Sequence, residues 1–190
     1  MEVLLVHNNI GSDNMLQIVE ADEKYLDQYK EAYKETVKQN ELGKIKKHNI
    51  LFIDPDTNDV VQVFKDNRDQ SKLPENYVPS YDYFAVDDDK LIGIVHIRVR
   101  LTENLLRYGG HIGYAINPKY WNMGYGKKLL ELTLKEYKDL IEDDRILITC
   151  DDDNIGSYKI IEASGGVLEN KVENVDGKEK FLTRRYWIKK

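Results

Sequence analysis

The run Gly109-Gly-His-Ile-Gly-Tyr-Ala-Ile-Asn-Pro-Lys-Tyr-Trp-Asn-Met-Gly-Tyr-Gly-Lys-Lys128 decides how this chain is read. Residues His111 to Ile116 are an apolar β-type segment that stops at Asn117-Pro118. A short loop carrying Gly124 follows, and an amphipathic helix opens near Tyr125. A helix start of this kind leaves main-chain N–H groups without partners inside the helix, and its dipole favours negative charge. Gly124 and Gly126 let the backbone approach a bulky anion, while Lys127 and Lys128 add positive charge at the same end. A pyrophosphate suits such a junction; so does a plain tight turn, which uses the same glycines. Two familiar phosphate loops do not match. Lys128 is followed by Leu129 rather than Ser or Thr, and Leu129 stands where a dinucleotide fingerprint needs its third glycine.

Working outward, Leu130, Leu134, Tyr137 and Ile141 recur at helical spacing, so the helix after Gly126 buries one face. Asp143-Asp-Arg145 ends it, and Arg145 to Cys150 reads as a buried strand. Asn154 opens a further helix from Ile155 to Ala163, closed by Gly165-Gly166. Val167 to Val172 and Tyr186 to Ile188 supply the last strands around an Asp176-Gly177 turn. Upstream, Asp22 caps a helix with Tyr25, Leu26, Tyr29, Tyr33, Thr36 and Val37 on one stripe. A second helical stretch after Asp56-Thr57 carries Val60, Val61, Val63 and Phe64. Leu73 to Ser80, with two prolines, is a stiff connector into the sheet. Tyr83 to Val86 and Leu91 to Leu101 flank Asp87-Asp-Asp-Lys90 as a hairpin. In its second strand His96, Arg98 and Arg100 share one face, which is either ordinary solvent-facing polarity or a basic surface suited to an acidic acceptor.

At 190 residues the chain suits one domain, and 41% hydrophobic residues suffice for a sizeable core. A net charge of −6 argues against a general binder of nucleic acid or membrane surfaces. No stretch approaches the roughly 20 apolar residues of a membrane span. One cysteine, Cys150, excludes an internal disulfide and fits a reducing cytoplasm. Asp54 to Asp59 and Asp151 to Gly156 mimic calcium loops, but Asp59 replaces the required glycine in one and Ile155 sits at a ligand position in the other.

The ordered set Leu73-Pro-Glu-Asn-Tyr-Val-Pro-Ser80, Tyr108-Gly-Gly-His-Ile-Gly-Tyr114, Leu147-Ile-Thr-Cys-Asp151 with Asp153-Asn-Ile155, Gly165-Gly-Val-Leu-Glu-Asn170 and Arg185-Tyr-Trp-Ile188 resembles a bacterial branch of predicted GNAT acetyltransferases. The resemblance covers about residues 15 to 190, leaving residues 1–14 as an extension in front of one acetyltransferase domain. It implies an α/β fold with a mixed, mostly antiparallel central sheet flanked by helices. It also implies acetyl-CoA as co-substrate, no metal, and transfer to a primary amine of a small molecule or peptide in a ternary complex. The first two helices would form one wall of the acceptor site. Oligomeric state stays open, a homodimer included.

Carried over by position, Tyr114, Ala115 and Ile116 hold the pantetheine arm on a strand splayed from its neighbour. Asn122, Met123, Gly124, Tyr125, Gly126 and Lys127 hold the pyrophosphate. Asn154 matches an asparagine that contacts the arm and also suits simple capping, and Ser157 takes an alanine place beside it. His111, near where some relatives carry a catalytic Glu, is the first candidate base or else a hydrogen-bonding residue of the sheet; Glu103 is the reserve. His7 and His48 lie in polar segments without evident partners. Three departures from the family pattern stand out. Trp121 replaces the Arg or Gln before the glycines, Ile161 replaces the tyrosine that protonates the departing thiolate, and Gly166 replaces a Phe. Tyr158, one turn earlier, or water is left to supply that proton. These departures also motivate a rival reading, a CoA-binding sensor or interaction domain without catalysis.

Overall fold

The computed structural model describes residues 15–176 and 179–190. The expected extension at residues 1–14 and the tip of the Asp176-Gly177 turn lie outside the described residues. Among the described residues seven strands and five α-helices follow in the order β1 (Gln17–Glu20), α1 (Leu26–Glu41), α2 (Val60–Asp66), β2 (Ser80–Asp87), β3 (Lys90–Arg98), α3 (Glu103–Arg107), β4 (Ile112–Ile116), α4 (Tyr125–Glu136), β5 (Arg145–Asp151), α5 (Ile155–Ala163), β6 (Val167–Asp176) and β7 (Glu179–Lys189).

Side-chain alternation along β2 and β3 separates two cores. Phe84, Val86 and Ile94 face α1 and α2, where Tyr25, Tyr29, Phe52 and Phe64 form an aromatic cluster. Tyr83, Ala85, Val95 and Ile97 face the opposite way, onto Leu129 and Leu130 of α4 and Ile161 of α5. The helices thus cover both faces, as the reading of fold class requires. Asp59 rather than an earlier residue caps α2, its side chain accepting from the Gln62 N–H. The α4 helix stops at Glu136, and Ile141 is reached only after a further 3-10 turn, yet it remains buried.

The sheet is parted. Strands β1-β2-β3-β4 form one antiparallel ladder and β5-β7-β6 another. Among the described residues β4 pairs only with β3, and β5 only with β7. The hydrophobic interior nevertheless runs under both, since Val95, Ile97 and Ile112 share one cluster with Ile146, Ile148, Tyr186 and Ile188. No helix among the described residues is long and apolar enough to cross a membrane.

Candidate active site

The two ladders touch where β4 begins. The His111 N–H donates to the Leu147 carbonyl at 2.8 Å, and the Leu147 N–H donates back to His111 Nδ1 at 2.9 Å. Gly109 N–H donates to Thr149 Oγ1 at 2.9 Å. Gly110, with φ +63, permits this approach: a Cβ there would lie 2.5 Å from the Leu147 carbonyl oxygen. Past this junction β4 and β5 diverge, and two cavities open in and beside the gap.

The larger, about 830 Å³, lies between the end of β4, the 120–127 loop, the start of α5 and the segment after α1. Asn117 anchors its rim, its N–H donating to the Ile92 carbonyl at 2.8 Å. Asn122 (φ 61) and Gly124 (φ 81) then turn the backbone so that α4 starts facing the cavity. Among the described residues no protein group accepts from the amides of residues 122 to 127. These are the orphan donors of a helix start, and they lie along the cavity wall. Trp121 also lines the wall, and its indole N–H donates to the Ile116 carbonyl at 2.8 Å. It therefore ties the loop back to β4, a job an Arg reaching for phosphate would not do.

The smaller cavity, about 200 Å³, lies between β4 and β5 and has Arg98, His48 and Cys150 in its walls. Asn49, Tyr114, Asn154 and Ser157 line both cavities, so these side chains form the partition between them. The Tyr114 hydroxyl is buried and makes no hydrogen bond of good geometry among the described residues; burial pushes its pKa up to about 12, with the Ser157 side chain acting against the rise. The Cys150 thiol is likewise pushed up to about 12 by burial, which keeps it a thiol.

At the end of β5, Asp151 is enclosed, its side chain 1% exposed. Its Oδ2 accepts from Asn49 Nδ2 at 2.8 Å, lies 3.0 Å from His48 Nε2, and meets Lys46 Nζ at 3.3 Å. Its Oδ1 is buried and has no partner among the described residues. His48 thus has a carboxylate partner 103 residues away. The ring also stacks on Phe181 at 4.2 Å between centroids. No local pattern around His48 signals this; the Asp151-Asp-Asp153 run was visible, but as a failed metal loop.

Of the residues read from sequence, Tyr114, Ala115, Ile116, Asn122, Gly124, Tyr125, Gly126, Lys127, Asn154 and Ser157 line the larger cavity; Met123 is exposed and does not. Asn154 caps α5, its side chain accepting from the Ser157 N–H at 3.0 Å. His111 lines neither cavity. It is fully buried, with Nδ1 accepting from Leu147 and Nε2 placed 2.8 Å from Asp143 Oδ2. Burial holds its pKa below the ordinary 6.5, with Asp143 opposing. Glu103 is the exposed first residue of α3. The Tyr158 ring lies beneath the Arg184 guanidinium, 3.9 Å from it, and lines neither cavity. Ile161 is fully buried, and a Cβ at Gly166 would lie 2.5 Å from Ile161 Cγ2. The Ile161 carbonyl oxygen would lie 2.8 Å from the same Cβ, so the backbone as well as the isoleucine leaves no room for a side chain at 166.

The basic face of β3 is not a solvent face. His96 Nδ1 is engaged by buried Asp82; burial would raise the Asp82 pKa, but His96, Asn67 and Ser80 outweigh it and hold the carboxyl below the usual range. Arg98 Nη1 donates to the Gly109 and Gly110 carbonyls at 3.3 and 3.0 Å. Only Arg100 reaches out, donating to Gln70 Oε1 at 2.8 Å.

A parted sheet with a helix N-terminus closing one end of the gap is matched by sequence comparison. The family model for the acetyltransferase (GNAT) domain matches residues 26–167. The chain belongs to the GNAT acetyltransferase family. Solved GNAT structures share its fold. The microcin C7 self-immunity acetyltransferase MccE, solved with acetyl-CoA and AMP, is 15% identical with a TM-score of 0.69, covering 94% of this chain and 93% of its own. RimL, the ribosomal L7/L12 alpha-N-protein acetyltransferase solved with coenzyme A, is 16% identical with a TM-score of 0.67 over 94% and 95%. A GNAT-family acetyltransferase from Bacillus anthracis is 20% identical with a TM-score of 0.63 over 95% and 97%. No match is found among curated proteins. At these identities the neighbours speak for the GNAT fold alone.

Proposed function

We propose that this GNAT domain transfers the acetyl group of acetyl-CoA to a primary amine, both substrates meeting across the parted sheet. The observation that carries this reading is the row of amides at residues 122 to 127, without acceptors among the described residues, facing a cavity bounded by the edge of β4 that none of those residues pairs. Such donors at a helix start suit a pyrophosphate, and an unpaired strand edge suits the amides of a pantetheine arm. MccE and RimL, which share the fold, were solved with acetyl-CoA and coenzyme A.

When bound, acetyl-CoA supplies a thioester carbonyl that an amine attacks, with the sulfur as leaving group. The chain's own residues then have three tasks. The amides of residues 122 to 127, with Lys127 beside them, hold the diphosphate; Tyr114, Ala115 and Ile116 orient the arm. Asp151 takes a proton from the bound ammonium on Oδ1, leaving a free amine to attack, while Lys46, His48 and Asn49 fix the carboxylate through Oδ2. Tyr114, whose hydroxyl stays protonated near neutrality and makes no hydrogen bond of good geometry among the described residues, donates a hydrogen bond to the departing sulfur at the partition. In this reading His111 is a structural tie, because its Nδ1 already accepts from Leu147 and its Nε2 engages Asp143.

The test is calorimetry with acetyl-CoA, then an amine screen read by thiol release. Failure to bind acetyl-CoA at millimolar concentration overturns the proposal. Binding without thiol release from any amine favours instead a sensor role, the reading to which the buried Ile161 in the usual acid's place lends weight.

A further inference from the structure

Arg98 is a half-buried side chain whose partners do not account for its charge. Its only hydrogen bonds among the described residues go from Nη1 to the Gly109 and Gly110 carbonyls. It forms no ion pair there, whereas His96 on the same strand face engages Asp82, and Arg100, just past the strand, brings Nη1 to 3.9 Å from Glu142. Burial lowers the Arg98 pKa, with Asp82 acting against it from a distance. The side chain borders the 200 Å³ cavity, across the shared partition from the wall of unpaired amides.

Nε and Nη2 form one side of the guanidinium, a planar pair of donors spaced to grip both oxygens of a carboxylate. With Nη1 spent on the two glycine carbonyls, that is the side left without a protein acceptor among the described residues. The carbonyls also hold the head group still, so little rotamer freedom is lost when a ligand arrives. A cavity of this size admits a small head group, not a polypeptide side.

We propose that the small cavity is the acceptor subsite and that Arg98 is its specificity-determining residue, selecting amines that carry a carboxylate a few bonds from the nitrogen. This rests on the acetyl-transfer reading and names the class of acceptor within it. The carboxylate sits on the Nε/Nη2 side of Arg98, and the amine points through the Asn49–Tyr114 partition towards Asp151.

The test uses matched pairs of probes, alanine against alaninamide, β-alanine against β-alaninamide and 4-aminobutyrate against its amide, with thiol release from acetyl-CoA compared per unprotonated amine. The acid of at least one pair is expected to be preferred by roughly ten- to a hundredfold in kcat/KM, the usual worth of a charge-assisted hydrogen-bonded pair. Arg98→Gln removes the preference chiefly by raising KM, and Arg98→Lys, which keeps the charge without the fork, keeps part of it. Equal use of acid and amide by the native protein, or a preference that survives Arg98→Gln, overturns the proposal. If no amine in the panel turns over, propionate and propionamide are compared by thermal shift on the CoA complex. A shift with propionate alone, lost in Arg98→Gln, supports the proposal and equal shifts overturn it. Arg98→Gln is counted only where acetyl-CoA binding matches the native protein. Failure of acetyl-CoA to bind the native protein sinks the transfer reading itself; binding without discrimination sinks only the assignment of Arg98.

Discussion

The two ends of the β4–β5 seam are built from similar material and do opposite things. At the near end the ladder's own groups are answered: His111 and Leu147 exchange hydrogen bonds, Thr149 receives Gly109, and Asp143 takes the far side of the imidazole. At the far end donors and acceptors are left over among the described residues, in the amides of residues 122 to 127, the Tyr114 hydroxyl and Asp151 Oδ1. Buried polar groups without partners cost stability, so a protein keeps them where something else will answer them. In the proposed reading the near end holds the fold together and the far end meets the substrates.

Substitutions at the two ends should accordingly separate into activity losses and stability losses. The largest effect is expected at the far end: Asp151→Asn lowers kcat/KM by about 10²–10⁴-fold, the range of a lost general base. Steady-state thiol release checks this, and a drop under about threefold would return the base to another residue. Next comes Gly110→Val at the near end. A β-branched side chain at φ +63, with its Cβ 2.5 Å from the Leu147 oxygen, is expected to cost about 3–4 kcal/mol in urea unfolding.

His111→Ala follows at about 2–3 kcal/mol, from the emptied space and the orphaned Leu147 N–H. It carries a pH signature. The folded pKa of His111 lies below the ordinary 6.5, so the unfolded chain binds more protons in the interval between the two values. Stability from this group is complete above about pH 6.5 and is lost as pH falls through the interval. The slope of melting temperature against pH below 6.5 should flatten in His111→Ala; an unchanged slope would mean that other groups set it. The smallest effect is expected for Trp121→Phe. Loss of the indole bond to Ile116 costs about 1 kcal/mol and weakens acetyl-CoA by less than tenfold, because the amides of the loop remain. Calorimetry and unfolding on the same sample separate the two effects.

Much of the fold could be read from the chain because its signals are local. The strand ending at Ile116, the glycine turn at Gly124 and the helix from Tyr125 lie in one contiguous stretch, and the turn needs a backbone that few other residues supply. The pairing of Asp151 with His48 could not be read this way, since the partners stand 103 residues apart and neither segment has a period that predicts the meeting. Arg98 was placed on the correct face of its strand, but alternation reports only which face a residue occupies. What that face meets, here Asp82 and two glycine carbonyls rather than water, depends on tertiary packing. His111 illustrates the converse. Its residue type suggests proton transfer, and only the Leu147 N–H and Asp143 show both ring nitrogens committed.

Beneath the seam the two ladders share an apolar interior, in which Val95, Ile97 and Ile112 meet Ile146, Ile148, Tyr186 and Ile188. Apolar contact is non-directional and sets no register between the ladders. Register is set where hydrogen bonds cross, at His111 with Leu147 and at Gly109 with Thr149. That buttoned corner fixes how the two halves of the sheet face each other along the rest of their length.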